Sequence, residues 1–108
     1  MKVLFVCSRN KLRSPTAESV FSSRDRIEAM SAGTSQDADN PISIDLIEWA
    51  DVIFAMEPVH RKRLNERFGQ ALRNKKIVVL GIPDEYAFMD PRLVELLERK
   101  VEKHLLSR

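Results

Sequence analysis

The stretch that decides the fold is Val3-Leu4-Phe5-Val6-Cys7-Ser8-Arg9-Asn10-Lys11-Leu12-Arg13-Ser14-Pro15. It opens with a continuous apolar run rich in β-branched residues, the pattern of a strand buried on both faces. It closes on Ser-Pro, where serine is a good helix N-cap and proline suits the first helical position. Between the two lies a short polar loop that starts with cysteine and ends with arginine six positions later.

Two later runs repeat the strand character, Val52-Ile53-Phe54-Ala55-Met56 and Ile77-Val78-Val79-Leu80, and Ile27 to Met30 is a weaker fourth. Helical segments lie between them. Asn40-Pro41, Glu57-Pro58 and Asp90-Pro91 mark further helix starts, Glu57 being the poorer cap and Asn40 allowing a start a few residues later. The third helix is predicted to end near Gly69. The last carries Leu93, Leu97, Val101 and Leu105 at i+4 steps, one apolar stripe with Glu95, Arg99, Glu102 and Lys103 largely off it. Apolar strands alternating with helices predict an α/β fold, a parallel sheet with helices on both faces. Ligands bind such sheets beyond the carboxyl ends of the strands, which is where Cys7 stands.

The 108 residues fit one domain, taken as residues 1–108, and can bury one core without disulfide or metal support. One cysteine excludes an intrachain disulfide and a Cys-rich zinc site, and the reducing cytoplasm is the expected compartment. The apolar opening is too short for a signal sequence or a membrane span, so no membrane partner is expected. A net charge of +2 does not announce nucleic acid. The basic group His60, Arg61, Lys62, Arg63, Arg67, Arg73, Lys75 and Lys76 has no interleaved aromatics and reads as a solvated face. His60 and His104 have no metal-ligand spacing. Trp49 reads as core, and Met30, Met56 and Met89 as gap-fillers.

The loop from Cys7 to Ser14 suits an anion. Its backbone can curl so that successive N–H groups converge, and the following helix adds the positive end of its dipole. The same field favours a Cys7 thiolate. Arg13 can grip two phosphate oxygens, Ser14 can donate its hydroxyl to the thiolate, and Asn10 tolerates a left-handed backbone. The bland reading of Cys7 is a small buried hydrophobe at a strand end. The strand before it and the helix start after it favour the phosphate loop, residues Ser8, Arg9, Asn10, Lys11, Leu12, Arg13 and Ser14.

Val3 to Cys7 followed by Asn10, Arg13-Ser14-Pro15 and Ala17-Glu18 resembles the low-molecular-weight protein tyrosine phosphatases. Ser31-Ala32-Gly33-Thr34, Ala50-Asp51-Val52-Ile53 and Met56-Glu57 resemble later landmarks of that family. The resemblance implies a four-stranded parallel sheet, a phosphocysteine intermediate on Cys7, no metal and no cofactor. It implies a phosphate-monoester hydrolase acting on a phosphorylated protein or a small phosphate ester. The family commonly has glycine where Arg9 stands and a second cysteine where Leu12 stands, so the loop backbone is expected to differ or to accept strain at Arg9. The chain is also shorter, through loss of a segment between Thr34 and Leu46.

The leaving alkoxide or phenoxide needs a proton. The family's acid is an aspartate after the last strand, and Asp84 and Asp90 both stand there. Asp90-Pro91 is explained by helix capping, so Asp84 is preferred, with Tyr86 two positions on as a candidate substrate wall or a packing partner of Phe88. No aromatic stands between Thr34 and Asn40 to form a second wall. Arg9 and Lys11 are expected to make the rim basic. An arsenate reductase of the same fold, dependent on an external thiol, and a non-catalytic phospho-ligand or RNA-binding module are the alternatives.

Overall fold

Lys2–Cys7 forms β1, with every residue from Val3 to Cys7 buried, as its uninterrupted apolar sequence requires. In the computed structural model, which describes residues 1–106, α1 follows at Arg13–Ser22, β2 at Glu28–Gly33, α2 at Ile44–Trp49 and β3 at Val52–Ala55. Then come α3 at Pro58–Phe68, a 3-10 turn at Gly69–Leu72, β4 at Lys76–Val79 and α4 at Pro91–Leu106. The four strands are all parallel, in the order β2-β1-β3-β4. The chain therefore leaves β1 for one side of the sheet and returns to its other side. The loop after β1 sits at that switch point, where the strand ends open a crevice.

Strand side chains alternate between two cores. Val3, Phe5, Cys7, Phe54 and Met56 face α1 and α4, where they meet Ala17, Phe21, Leu93, Leu97 and Val101. Leu4, Val6, Ala32 and Ile53 face the other side, against Ile47, Leu64 and Leu72. Phe5 stacks between Phe21 and Phe54 at ring-centroid distances of 5.6 and 5.3 Å. The α4 stripe buries Leu93, Leu97 and Val101 completely. At roughly 1.5–3 kcal/mol for each large apolar side chain buried, this face does most to hold α4 on the sheet. Arg24, at the end of α1, ties that end to α4 through Glu98 and Glu102, at 3.4 and 3.0 Å.

Several local expectations change. The second strand is Glu28–Gly33, not Ile27 to Met30, and its buried half is Ser31-Ala32-Gly33. These small residues pair Phe5, Val6 and Cys7 in register, and packing under the loop selects them rather than strand propensity. α1 begins at Arg13, two residues before Pro15, and Leu12 precedes it without a side-chain cap. Ser14 lies inside the helix and has a different task. α2 starts only at Ile44, where Ser43 caps the Leu46 N–H at 3.3 Å. Trp49 is half-buried at the edge of its core, with the Lys2 ammonium 6.0 Å from its ring. Of the three methionines read as gap-fillers only Met56 is buried, and Met30 and Met89 are exposed.

Candidate active site

The loop after β1 is held from outside by the segment after β2. The carbonyl groups of Cys7, Ser8 and Arg9 accept from the N–H groups of Thr34, Ser35 and Asp39 at 2.9, 2.9 and 3.1 Å. Among the described residues no N–H from Ser8 to Leu12 donates to another backbone group. Carbonyls out and amides unpaired is the arrangement of an anion nest. Asn10 takes the left-handed turn, with φ 58°, whereas Arg9 does not, so arginine in place of glycine brings no backbone strain there. Gly33 allows the close approach: a Cβ on it would stand 2.5 Å from the Ser8 carbonyl oxygen and 2.6 Å from the Ala38 Cβ.

A chain of hydrogen bonds ends on the thiol. Glu18 accepts from the Ser31 hydroxyl at 2.5 Å. The Asn10 amide then donates one proton to Ser31 and one to Ser14, each at 2.9 Å. Ser14 Oγ lies 2.9 Å from Cys7 Sγ and 3.5 Å from the Ala32 carbonyl. Because Ser14 already accepts from Asn10, its own proton is available to the sulfur, the nearer partner. Cys7, Asn10 and Ser14 are all buried, so this polar chain is protected from water.

Cys7, Ser8, Arg9, Lys11, Leu12, Arg13 and Asp84 line one cleft of about 210 Å³. Arg13 is 3% exposed and held from behind. Its Nη1 donates to Glu57 Oε1 at 2.6 Å and to the Ile82 carbonyl at 2.8 Å. Its Nε lies 3.7 Å from Asp84 Oδ1, on an aspartate whose side chain is 64% exposed. The structure thus brings Cys7, Arg13 and Asp84 together. Asp90 is elsewhere, accepting from the Arg92 N–H at 2.9 Å and from its guanidinium at 3.0 Å. Those hydrogen bonds hold the Asp90 carboxyl below the usual range.

Tyr86 does not line the cleft. Its ring packs on the α4 core beneath the Arg92 guanidinium, 5.6 Å away, and Phe88 is exposed. The basic rim is also modified: Lys11 pairs with Asp39 at 2.7 Å, and Arg9 approaches Asp37 at 3.9 Å. Loop residues between Thr34 and Asn40 thus offset part of the positive charge.

Two residues absent from the sequence reading of the site stand behind it. Glu57 anchors Arg13, and His60, fully buried, places Nε2 2.9 Å from Ser8 Oγ. The pattern Glu-Pro-x-His at a helix start was the available signal. In the basic group, Arg67 donates to the Thr34 carbonyl at 3.2 Å and Lys75 to those of Glu48 and Ala50 at 3.0 and 2.6 Å. These cations serve the fold. Among the described residues, no three His, Cys, Asp or Glu side chains could hold a metal ion. No described helix is long and apolar enough to cross a membrane.

Residues 2–51 match the family model of the low molecular weight phosphotyrosine protein phosphatases. No curated protein sequence matches significantly. Among solved structures, the low molecular weight protein tyrosine phosphatase SP-PTP of Streptococcus pyogenes is similar, with 25% identity and a TM-score of 0.78 over 98% of this chain and 91% of that one. A mutant YwlE from Bacillus subtilis has 26% identity and a TM-score of 0.74, over 98% and 99%. The YwlE arginine phosphatase of Geobacillus stearothermophilus has 23% identity and a TM-score of 0.76, over 98% and 94%. With a buried thiol and guanidinium around an open anion nest at the switch point of this sheet, the protein is a cysteine-dependent phosphatase. Its residues 2–51 are similar to the low-molecular-weight protein tyrosine phosphatase family.

Proposed function

We propose that the protein hydrolyses protein-borne phosphate esters, phosphotyrosine first among them, in two steps through a phosphocysteine on Cys7. Cys7 Sγ attacks phosphorus in line while the bond to the leaving oxygen breaks. Arg13 and the loop amides hold the three equatorial oxygens as the phosphorus becomes planar. Asp84 gives its proton to the leaving oxygen. It then takes one from the water that attacks the phosphocysteine, which releases inorganic phosphate and restores the thiolate.

The observation that carries this reading is the lining of one cleft by Cys7, Arg13 and Asp84, with Ser14 2.9 Å from the sulfur. A single domain of 108 residues is sufficient for it, and the chemistry calls for no metal or cofactor. A cytoplasmic location fits a catalytic thiol that must stay reduced.

One observation favours a second substrate, phosphoarginine: among the described residues no aromatic side chain lines the cleft, and the exposed Asp84 carboxylate at its mouth could meet a guanidinium. The arsenate reductase reading is not favoured, since the family and the similar structures are phosphatases. A turnover panel of phosphotyrosine, phosphoserine and phosphoarginine peptides, run beside Cys7→Ser, tests the proposal. Phosphotyrosine should turn over fastest, and Cys7→Ser should abolish all hydrolysis. Unchanged turnover in Cys7→Ser would reject the nucleophile, and binding without turnover would leave a phospho-ligand module.

A further inference from the structure

The start of α3 does more than begin a helix. His60 Nδ1 lies 3.0 Å from the Glu57 N–H, which can only donate, so Nδ1 must be the unprotonated nitrogen. In a neutral imidazole the proton is then on Nε2, the atom 2.9 Å from Ser8 Oγ. The ring therefore donates to Ser8 and occupies an acceptor position of its hydroxyl. The Ser8 proton is left to donate, and Ser8 lines the cleft beside Cys7.

We propose that His60 is a positioning residue, which orients the Ser8 hydroxyl as an added hydrogen-bond donor to the phosphate group held by the Cys7–Ser14 loop. This rests on the phosphate-binding reading of that loop. Burial supports a neutral ring: it lowers the His60 pKa to about 4, with the Arg13 charge adding to the effect. Arg63 acts in the same direction, and Glu57 and Asp84 oppose it. A charged ring would have no lone pair for the Glu57 N–H. The same residue thus also fixes Glu57, whose carboxylate holds Arg13 at 2.6 Å.

The two roles of the ring separate by substitution. Asparagine can place its amide oxygen near the position of Nδ1 but does not reach Ser8. Glutamine can place an amide N–H near the position of Nε2 but leaves Glu57 without its acceptor. Ser8→Ala and His60→Asn should each lower kcat/KM for an aryl phosphate by about ten- to a hundredfold, the range for a hydrogen bond to a charged group. The double variant should lose no more than either one. His60→Gln should recover most of the loss in rate and should be slowed by Ser8→Ala as the wild type is.

Calorimetric binding of inorganic phosphate to the same five variants and the wild type reads the contact without turnover. Equal weakening in Ser8→Ala, His60→Asn and their double variant, with affinity regained in His60→Gln, supports the proposal even if the wild type proves inactive, which would reject hydrolysis alone. Multiplying losses, or full rate and phosphate affinity in folded His60→Asn, would overturn it. A His60→Gln variant no better than His60→Asn at matched thermal stability would do the same.

Discussion

His60 should make this protein lose stability at mildly acidic pH, from about pH 6.5 downwards. The ring is buried neutral, with a pKa of about 4 against 6.5 in the unfolded chain. Its contribution is fully present above about pH 6.5 and is lost as pH falls towards 4, because the unfolded state binds a proton that the folded state refuses. At about 1.4 kcal/mol per pH unit, the gap amounts to about 3 kcal/mol. That is a large share of the roughly 5–15 kcal/mol typical of a native domain. Urea unfolding from about pH 7.5 to about pH 4 measures it, with His60→Asn as the comparison. Asparagine does not titrate, so the variant should be offset at neutral pH by its changed packing but should run flatter across this window. His104, whose pKa is also lowered by burial, is common to both proteins and cancels. Asp37 and Asp90, whose hydrogen bonds hold their carboxyls below the usual range, are likewise common to both proteins and cancel. Parallel curves for the two proteins would refute the buried neutral ring.

Ser14→Ala removes the hydroxyl 2.9 Å from the sulfur and should slow iodoacetamide alkylation of Cys7 at neutral pH by about tenfold or more, the equivalent of a hydrogen bond to a charged group. Alkylation rates of the folded wild type and variant at one pH read this directly. Gly33→Ala forces a Cβ against the Ser8 carbonyl and should cost about 1–3 kcal/mol. It should lower Tm by at least about 4 °C in a scanning measurement, with phosphate affinity reduced as the loop shifts. Asp84→Ala should reduce kcat for a phosphotyrosine peptide by about a hundredfold or more with phosphate binding little changed, as loss of a general acid does. Asp90→Ala should instead lower Tm through the lost helix cap and leave the chemical step alone, a difference seen by steady-state kinetics beside thermal melts.

Where a residue's task depended on its neighbours in sequence, the sequence displayed it. The unbroken apolar run of β1, the polar loop and the α4 stripe fix the sheet and the place of Cys7 and Arg13. The left-handed turn at Asn10 follows from its side chain and the tight loop. Tasks set by tertiary contact were hidden. Ser31-Ala32-Gly33 reads as the end of a strand, yet it is the buried half of β2, because only small residues fit beneath the Ser8 carbonyl. Pro15 suggests a helix start two residues late, since the structure uses Ser14 against the sulfur rather than as a cap. Tyr86 is near Asp84 in sequence but turns to the α4 core under Arg92. His60 read as part of a basic surface, and its meaning appears only when Ser8, 52 residues away, comes within 2.9 Å.

The central claim is a covalent phosphoryl group on Cys7. It is tested most directly by mixing Asp84→Ala with a labelled aryl phosphate whose leaving group needs little protonation, then quenching within one turnover. Attack by Cys7 should proceed while hydrolysis lags for want of its base, so the account predicts one phosphoryl group per chain, located by mass spectrometry on Cys7 and absent from Cys7→Ser. Turnover with no labelled protein at any time, or label on another residue, would contradict it.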